Sequence, residues 1–406
     1  MERTRIQGIL AESRLGQTGA VTAETVQRIG RLVGADTVVV GSIVLIGGDQ
    51  MEVEARAVDV ETGRLLAAAH MRAAVLRRGT APMPPALPLA PLPVRAQAGT
   101  DLGPGSRLPW PAAVHGAAAM GGRLFASVEV VGSQEAAQII SAPILSGGRL
   151  GRWRRESPLP EGRTQAAMAA WGRRVYVIGG YHGSPRREVA FSEADAEGRL
   201  GTWRQAGWLP RGCTSGTGIA HRGVLHVTGC ADSGGSVGAV FSAPILSSGA
   251  LGEWISTSLL DRAAGGGAAV VSDRLVLIGG VDDAGVIRAG VVSVPLGADG
   301  MPATVRREPD FPVAVEGTAL AAASGRLWSA GGAVGKTNSD FVNSVRSAPV
   351  TASGGIGAWV EEPTVLYPGR KSFVMPGDAD RLFLLGGWTP KGNIDEIVSV
   401  PTGGLR

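Results

Sequence analysis

The chain has 406 residues, of which 44% are apolar and only 5% aromatic, with 62 glycines and 25 prolines. This composition is typical of many short strands joined by tight turns, and the regular recurrence of Val, Ile and Leu excludes a disordered chain. The formal charge of +4 is small and the arginines are not clustered with aromatic residues, so no nucleic-acid partner is indicated.

The sequence shows neither a membrane span nor a secretory signal. No apolar run approaches the roughly 20 residues that a membrane helix needs. Met1 is not followed by the apolar core of a signal peptide. As written, the sequence predicts a soluble chain without targeting.

Residues 1–78 differ in pattern from the rest. Thr22 precedes apolar residues at 26, 29, 32 and 33, a spacing that predicts a helix with Thr22 as its N-cap and Gly34 as its end. Three strand-like runs follow, joined by turns: Thr37–Leu45, Gln50–Val60 and Leu65–Ala73. We therefore predict a small α+β domain over 1–78. The six prolines within 79–98 predict a stiff, extended linker after it.

From residue 99 onward a repeated phrase organises the chain. Ser141–Trp153 (SAPILSGGRLGRW) returns as Ser242–Trp254 (SAPILSSGALGEW). Looser copies complete a series with an interval of 50 to 54 residues: Ser192, Ser293, Ser347 and Ser399. A fixed period of this size predicts one supersecondary unit that is used repeatedly.

One unit of this series has the pattern of four strands. They are Thr164–Ala170, Val175–Ile178 ending at Gly179-Gly180, Glu188–Ser192, and Gly201–Arg204 with Trp203. This order resembles the kelch repeat, over roughly three quarters of the chain. The resemblance implies a mainly β fold, a kelch-type β-propeller in which each unit is one blade around a central channel. Three units depart from the pattern, at Val131-Gly132, at Gly229-Cys230 and at Thr304, which stands where Trp is expected.

The ends of the series bear on whether the array is closed. Counting by the end of the second strand, at 132, 180, 230, 280, 332 and 387, predicts six blades over 99–406. The last copy stops before any Trp strand, and Leu102-Gly103 and Leu108-Pro109 echo the surroundings of that strand. We therefore expect a closed ring in which the N-terminal strand completes the last blade and removes an exposed edge.

The N-terminal region carries a second resemblance. Gly30–Asp36, Gly41-Ser42 and Asp59–Gly63 are similar to the second half of the CsgG-type domain of curli secretion, over about 70 residues. In that family a strand and a helix come first, after a lipoprotein signal. We expect either a remnant domain or a start codon placed too late, and favour the second, because an incomplete sheet would expose an edge. The resemblance implies a bacterial periplasmic or outer-membrane-associated location, without the membrane-crossing hairpins of a pore.

The two cysteines, Cys213 and Cys230, allow two interpretations. They are small buried residues that never meet, or they form a cross-strand disulfide, because Cys213 enters the first strand of its unit and Cys230 leaves the second. A disulfide would imply an oxidising compartment.

Four arginines are the candidate ligand-binding residues. Each lies just before the innermost strand of its blade, so we expect them to gather at one mouth of the channel: Arg163, Arg211, Arg262 and Arg370. Convergent guanidinium groups would bind an acidic peptide or an anionic glycan. The alternative is that each arginine stacks on a tryptophan of the preceding blade and seals the junction.

The residue pattern does not indicate an enzyme. No two of the five histidines form a close metal-ligand pair, although His221 and His226 flank a predicted turn. A kelch-type copper oxidase would need a Cys–Tyr crosslink, and Tyr176 lies beside no cysteine. Ser192–Trp203 resembles the aspartate box of sialidases with the wrong spacing. We predict no catalytic residue, metal or cofactor.

These observations predict a non-enzymatic interaction or scaffold protein of the bacterial cell envelope. Its propeller would bind a protein or an anionic glycan. The alternative is a carbohydrate-active or oxidising enzyme on the same kelch-type propeller.

Overall fold

The computed structural model describes ten segments of the chain: residues 37–45, 50–59, 65–74, 106–129, 137–261, 263–334, 340–351, 354–366, 368–377 and 381–402. The chain divides into two compact units, Met1–Ala90 and Pro91–Arg406. The boundary falls within the predicted Pro-rich linker.

The first unit contains a three-stranded antiparallel sheet. Its strands are β1 (Thr37–Leu45), β2 (Gln50–Asp59) and β3 (Leu65–Ala74), with β2 in the middle. Thr37 pairs with Asp59, and Gln50 pairs with Ala74. The bounds agree with the predicted runs to within one residue. The helix predicted over 23–33 lies outside the described residues.

The second unit is a β-propeller, and the chain is mainly β. In every blade the chain runs outward from an inner strand, and all neighbouring strands are antiparallel. The first two blades consist of β4 (Val114–Met120), β5 (Arg123–Val128), β6 (Gln138–Leu145), β7 (Arg149–Leu150) and β8 (Arg154–Arg155), followed by β9 (Ala167–Trp171), β10 (Arg174–Ile178), β13 (Glu188–Glu193) and β14 (Arg204–Trp208). A short 3-10 turn, Ser146–Gly148, joins β6 to β7.

Blades three to five repeat this order. Their strands are β15 (Thr217–His221), β16 (Val224–Thr228), β19 (Ala239–Pro244) and β20 (Ile255–Ser258); β21 (Gly267–Val271), β22 (Arg274–Ile278), β23 (Val291–Pro295) and β24 (Arg306–Glu308); and β25 (Ala319–Ala323), β26 (Arg326–Ala330), β29 (Ser344–Pro349) and β30 (Val360–Val365).

Residues after 370 complete the described chain. They contain a two-stranded sheet, β31 (Arg381–Leu385) with β34 (Ile397–Pro401). Single bridges flank it, Val374 with Leu385 on one side and Arg107 with Glu396 on the other. The described sheets thus give a propeller of five blades with three or more strand pairings each, where six were expected, and this last segment is a smaller sheet.

Short hairpins project where the second strands end, and they define one side of the propeller, here called the hairpin face. They are β11 (Tyr181–His182) with β12 (Ser184–Pro185), β17 (Ala231–Asp232) with β18 (Gly235–Ser236), β27 (Ala333–Val334) with β28 (Asp340–Phe341), and β32 (Trp388–Thr389) with β33 (Gly392–Asn393). The inner strands begin on this same side, because each inner strand is antiparallel to the second strand beside it.

The hydrophobic core lies between neighbouring sheets. Between blades two and three, Tyr176 and Phe191 pack with Leu225 and Phe241. Corresponding clusters join each sheet to the next, and one contains Phe383 and Ile397 of the last segment with Leu124 and Ile140 of the first blade. Burial of apolar surface between sheets is the main stabilising contribution of such a layered fold.

The repeated phrase forms the junction between blades. Trp203 donates from Nε1 to the carbonyl of Ser157 in the preceding blade at 2.8 Å. Gly198 has a φ of 72°, and a Cβ there would lie 2.6 Å from Cδ of Arg123. The tryptophan was expected within the fourth strand, but β14 begins one residue after it. The reason is that the indole is used for contact with the neighbouring blade, before the chain enters the sheet.

Candidate functional site

The inner strands surround a central channel. Its cavity has a volume of about 500 Å³ and is lined mainly by small residues, for example Gly116, Gly218, Gly267 and Ala319. Small side chains leave the channel open, whereas larger ones would fill it. The channel walls themselves therefore offer few groups for chemistry.

At the hairpin face, a series of backbone hydrogen bonds surrounds the channel mouth. The residues just before the inner strands adopt left-handed backbone conformations, with φ between 52° and 68°: Gln165, Ser215, Gly265, Gly317 and Ser372. The N–H of Ser215 donates to Gln165 at 3.1 Å, that of Gly317 to Gly265 at 2.7 Å, that of Ser372 to Gly317 at 3.3 Å, and that of Val114 to Ser372 at 3.1 Å. These bonds link neighbouring blades directly and hold the mouth in shape.

Two pairs of polar side chains lie at this mouth. Lys371 Nζ is 2.6 Å from Glu316 Oε1 and 5.3 Å from the centre of the Trp388 ring. His115 Nδ1 is 3.2 Å from Glu129 Oε1, which also accepts from the N–H of Gln165 at 3.1 Å. The charge of Lys371 therefore faces a charge of opposite sign, and the Glu129 carboxylate has two partners within hydrogen-bond distance.

The environment of Glu129 stabilises its carboxylate. Burial alone would raise its pKa, but the hydrogen bond and charge of His115, together with the N–H of Gln165, outweigh burial and hold the pKa below its ordinary value. Glu129 is thus an ionised acceptor that positions the corner of the second blade.

A second cavity opens between the first two hairpins, beside the channel mouth. We call it the hairpin cleft, defined by Gln165, Tyr181, Pro185, Thr214 and Asp232, and its volume is about 510 Å³. Tyr181 is 44% exposed although it is large and aromatic. The Asp232 side chain is only 10% exposed, and its Oδ2 lies 2.6 Å from Nη2 of Arg211. The cleft therefore combines an aromatic wall with fixed polar groups.

Two of the four predicted arginines are buried within their own blades. Arg163 donates from Nη1 to the carbonyls of Gly179 at 3.3 Å and Glu188 at 3.2 Å. Arg370 donates from Nη1 to Gly386 at 3.2 Å and pairs with Glu396. Burial lowers the pKa of Arg163, with a smaller opposing effect from Glu188. Both guanidinium groups are thus engaged with the protein itself.

The other two arginines occupy different positions in the repeat. Arg211 aligns with Glu161, since Cys213 is the counterpart of Arg163, and it lies at the edge of the hairpin cleft. Arg262 lies outside the described residues. The expectation that the four bind an anionic ligand stays a prediction. The alternative placed each on a tryptophan, and the cation–π contacts of the described residues involve other cations, such as Arg155 over Trp110.

Cys213 and Cys230 are joined by a disulfide in the structure, with their Cα atoms 4.7 Å apart. Cys213 precedes the corner at Ser215, and Cys230 follows the second strand, so the bond spans the hairpin-face end of the third blade. Both residues are 1% exposed. A Cβ on Gly216 would lie 2.5 Å from Sγ of Cys213, which explains the glycine beside it.

The histidines are dispersed. His221 Nε2 is 2.7 Å from Asp273 Oδ1, and the buried His226 has its Nδ1 2.9 Å from Ser242 Oγ. Burial, with a smaller contribution from His221, lowers the pKa of His226 to about 4. Within the described segments, no group of three or more His, Cys, Asp and Glu side chains is placed to hold a metal ion. No helix in those segments has the length and hydrophobicity to cross a membrane.

Sequence reasoning missed the residues at the mouth and in the hairpin cleft. Aligning the copies on the small doublets would have exposed them, because Gln165 and Tyr181 then stand opposite residues of very different size. The predicted site was chosen by residue type, arginine, and therefore does not include these positions.

Comparison with known proteins gives one family model and a set of similar structures. The model described as "Curli production assembly/transport component CsgG" matches residues 1–47, a shorter stretch than expected. The solved structure titled "Structure of YjhT" is similar with a TM-score of 0.58 and 16% identity, over 74% of this chain and 97% of that chain. At this identity the likeness shows the β-propeller fold alone. No curated protein matches.

Proposed function

We propose that this chain is a non-enzymatic binding protein of the bacterial cell envelope that engages its partner through the hairpin face of the propeller. The observation that supports this most strongly is the contrast between the two kinds of residue in the repeat. The serines that recur in every copy, such as Ser141 and Ser242, are fully buried, and Trp203, whose counterpart is found in most copies, contacts the preceding blade. Two residues that differ from their counterparts in the other copies, Tyr181 and Trp388, are exposed around the channel mouth.

Exposed aromatic side chains mark this face. Tyr181 is 44% exposed and Trp388 is 41% exposed, each directly after a small doublet. The copies between them carry Ala231, Val281 and Ala333 at the same position. Exposed aromatic residues around a concave surface are typical of binding sites, because they supply large contact areas with few torsions to restrict.

We also infer that residues 371–401, together with Arg107, form a sixth, kelch-type blade that closes the ring. The N–H of Gly387 donates to Ala112 at 2.9 Å, the same blade-to-blade contact that Gly180 makes with Cys213 at 2.7 Å. Gly148 of the first blade lies against Arg381, as Gly198 lies against Arg123. These repeated contacts favour six blades over five with an open edge.

Two observations favour an envelope location. The CsgG model that matches residues 1–47 is described as a curli production assembly/transport component. The Cys213–Cys230 disulfide is of the kind that persists in oxidising compartments such as the periplasm and is rare in the cytosol. We therefore place the protein in the periplasm or at the outer membrane.

Site-specific photocrosslinking in a bacterial envelope tests the binding surface. A photoreactive phenylalanine analogue replaces Trp388 on the hairpin face, and the matched control replaces Trp171, which is 39% exposed at the opposite end of its blade. We expect discrete crosslinked adducts from position 388 in the periplasmic fraction and none from position 171. Adducts from position 171 alone, or a protein confined to the cytosol, would contradict the proposal.

A further inference from the structure

The hairpin cleft has the dimensions and the polar groups of a small-molecule site. Its volume of about 510 Å³ lies within the 300–1,000 Å³ range of such sites. It adjoins the channel mouth through the neighbouring residues Thr214 and Ser215. What the cleft would bind follows from three side chains, Tyr181, Gln165 and Asp232.

Tyr181 is not required by the fold. In blades two to five the residue at this position forms a single bridge to the residue before the left-handed corner, as Tyr181 does with Thr164. Ala231, Val281 and Ala333 form the same bridge with small side chains. The phenol ring of Tyr181, which is 44% exposed, is therefore an aromatic surface that the blade does not need for its strand pairing.

The backbone conformation likewise does not explain why a glutamine stands at position 165. Its φ of 52° is in the left-handed region, where Gly265 and Gly317 stand in other blades. Thr214 Oγ1 at 2.5 Å and Ser215 Oγ at 3.1 Å both donate to Gln165 Oε1, which fixes the orientation of the amide. Its NH₂ group, a double donor, has no acceptor among the contacts of the described segments.

Asp232 supplies a hydrogen-bond acceptor whose charge is balanced by Arg211. Its Oδ2 accepts from Nε and Nη2 of Arg211 at 2.7 and 2.6 Å, and its Oδ1 accepts from the N–H of Gly234 at 2.8 Å. A carboxylate has about four lone-pair sites, so acceptor capacity is left for a ligand. Because Arg211 balances the charge, the cleft favours a neutral ligand over an anion.

An exposed aromatic ring, an oriented amide donor and a fixed carboxylate acceptor form the set of groups that binds a sugar. The apolar C–H face of a pyranose stacks on an aromatic ring, and its hydroxyls need planar donors and acceptors at the edge. We propose that the hairpin cleft binds one residue of a neutral oligosaccharide, stacked on Tyr181 and hydrogen-bonded to Gln165 and Asp232. This inference rests on the proposed function, since it names the partner of the hairpin face.

The test uses the full chain with defined sugars. Isothermal titration calorimetry with maltohexaose, cellohexaose, xylohexaose and chitohexaose is compared with polygalacturonate as an anionic chain. Tyr181→Ala and Gln165→Gly introduce residues that other blades carry at these positions, and Trp171→Ala is the matched control on the opposite side. Melting temperatures of the three variants are measured alongside.

We expect at least one neutral hexasaccharide to bind, with affinity at least tenfold weaker in Tyr181→Ala and in Gln165→Gly and unchanged in Trp171→Ala. The inference is overturned if none of the neutral sugars binds, if only polygalacturonate binds, or if both cleft variants keep the original affinity. If no sugar binds while crosslinking from position 388 still gives discrete adducts, this inference is wrong and the proposed function stands.

Discussion

The second residue before each left-handed corner occupies the same place in blades two to five and in the last segment, against the second residue of the small doublet. The pairs are Arg163 with Gly180, Cys213 with Cys230, Ala263 with Gly280, Val315 with Gly332, and Arg370 with Gly387. A buried arginine stem, a disulfide and a plain apolar side chain therefore fill the same space. This position is structural in all five cases, and what varies is how it is stabilised.

His226 makes the stability of the propeller depend on pH. Its pKa is lowered to about 4 in the folded state, whereas the unfolded chain takes up this proton near pH 6.5. Its contribution is complete above pH 6.5 and is lost as the pH falls toward 4, by up to about 3 kcal/mol. His226→Phe, which introduces the residue found at Phe125 and Phe383, should therefore show a smaller loss of stability between pH 7 and 4.5.

Urea unfolding at a series of pH values measures this difference. The control is His182→Ala, since the His182 side chain is 48% exposed, and it should keep the pH dependence of the unaltered protein. Equal slopes for His226→Phe and the unaltered protein would show that another group carries the effect.

At the level of the strands, the carboxylates of Glu156 and Glu308 connect neighbouring blades. Glu156 accepts from Ser141 Oγ at 2.5 Å in its own blade and from the N–H of Leu200 at 2.8 Å in the next. Glu308 repeats this arrangement with Ser293 at 2.6 Å and Ile356 at 3.2 Å. The outer strand of one blade thereby holds the turn of the following one.

Glu156→Ala should destabilise the propeller by roughly 2–4 kcal/mol, because it leaves the buried donors of Ser141 and Leu200 without an acceptor. The side chain of Glu156 is only 2% exposed. Glu361→Ala is the control, since Glu361 is 58% exposed in its pair with Arg346 and should change stability by less than about 1 kcal/mol. Chemical denaturation of both variants measures the difference. Similar losses of stability in the two variants would contradict the proposed role of Glu156 in connecting the blades.

At the scale of the whole molecule, the segment before the first blade contacts the last segment of the chain, and we call this contact the seam. Leu108 and Ala112 are buried, and their N–H groups donate to Asp395 at 2.8 Å and to Ile394 at 3.1 Å. A chain of residues 91–406 retains these contacts and a chain of residues 114–406 lacks them. We expect the shorter chain to be less stable by roughly 4 kcal/mol, from one leucine burial and several lost hydrogen bonds.

Thermal unfolding of the two chains measures that loss. The chain of residues 91–406 is the control, because it removes the first compact unit and leaves the seam intact. Equal melting temperatures would mean that the stability of the propeller does not depend on the seam.

Periodicity was enough to predict the propeller and the three N-terminal strands, because turns and apolar runs are local signals. The tryptophan was placed in the wrong element, since its contact with Ser157 is a long-range one. Arg211 was aligned by residue type, although it stands two positions before Cys213, the true counterpart of Arg163. Alignment of the copies distinguishes Gln165 by its size, but its left-handed backbone and its contacts with Thr214 and Ser215 are visible only in the three-dimensional arrangement.

The seam at Arg107 has a consequence for how the protein would respond to pulling. The chain between the first compact unit and the propeller enters the propeller through the residues that seal it, where Arg107 bridges Glu396. A load transmitted along that connection therefore reaches this short bridge before any complete blade. This single bridge lies where the preceding chain enters the propeller, so we expect tension there to open the bridge first and to leave the described blades folded.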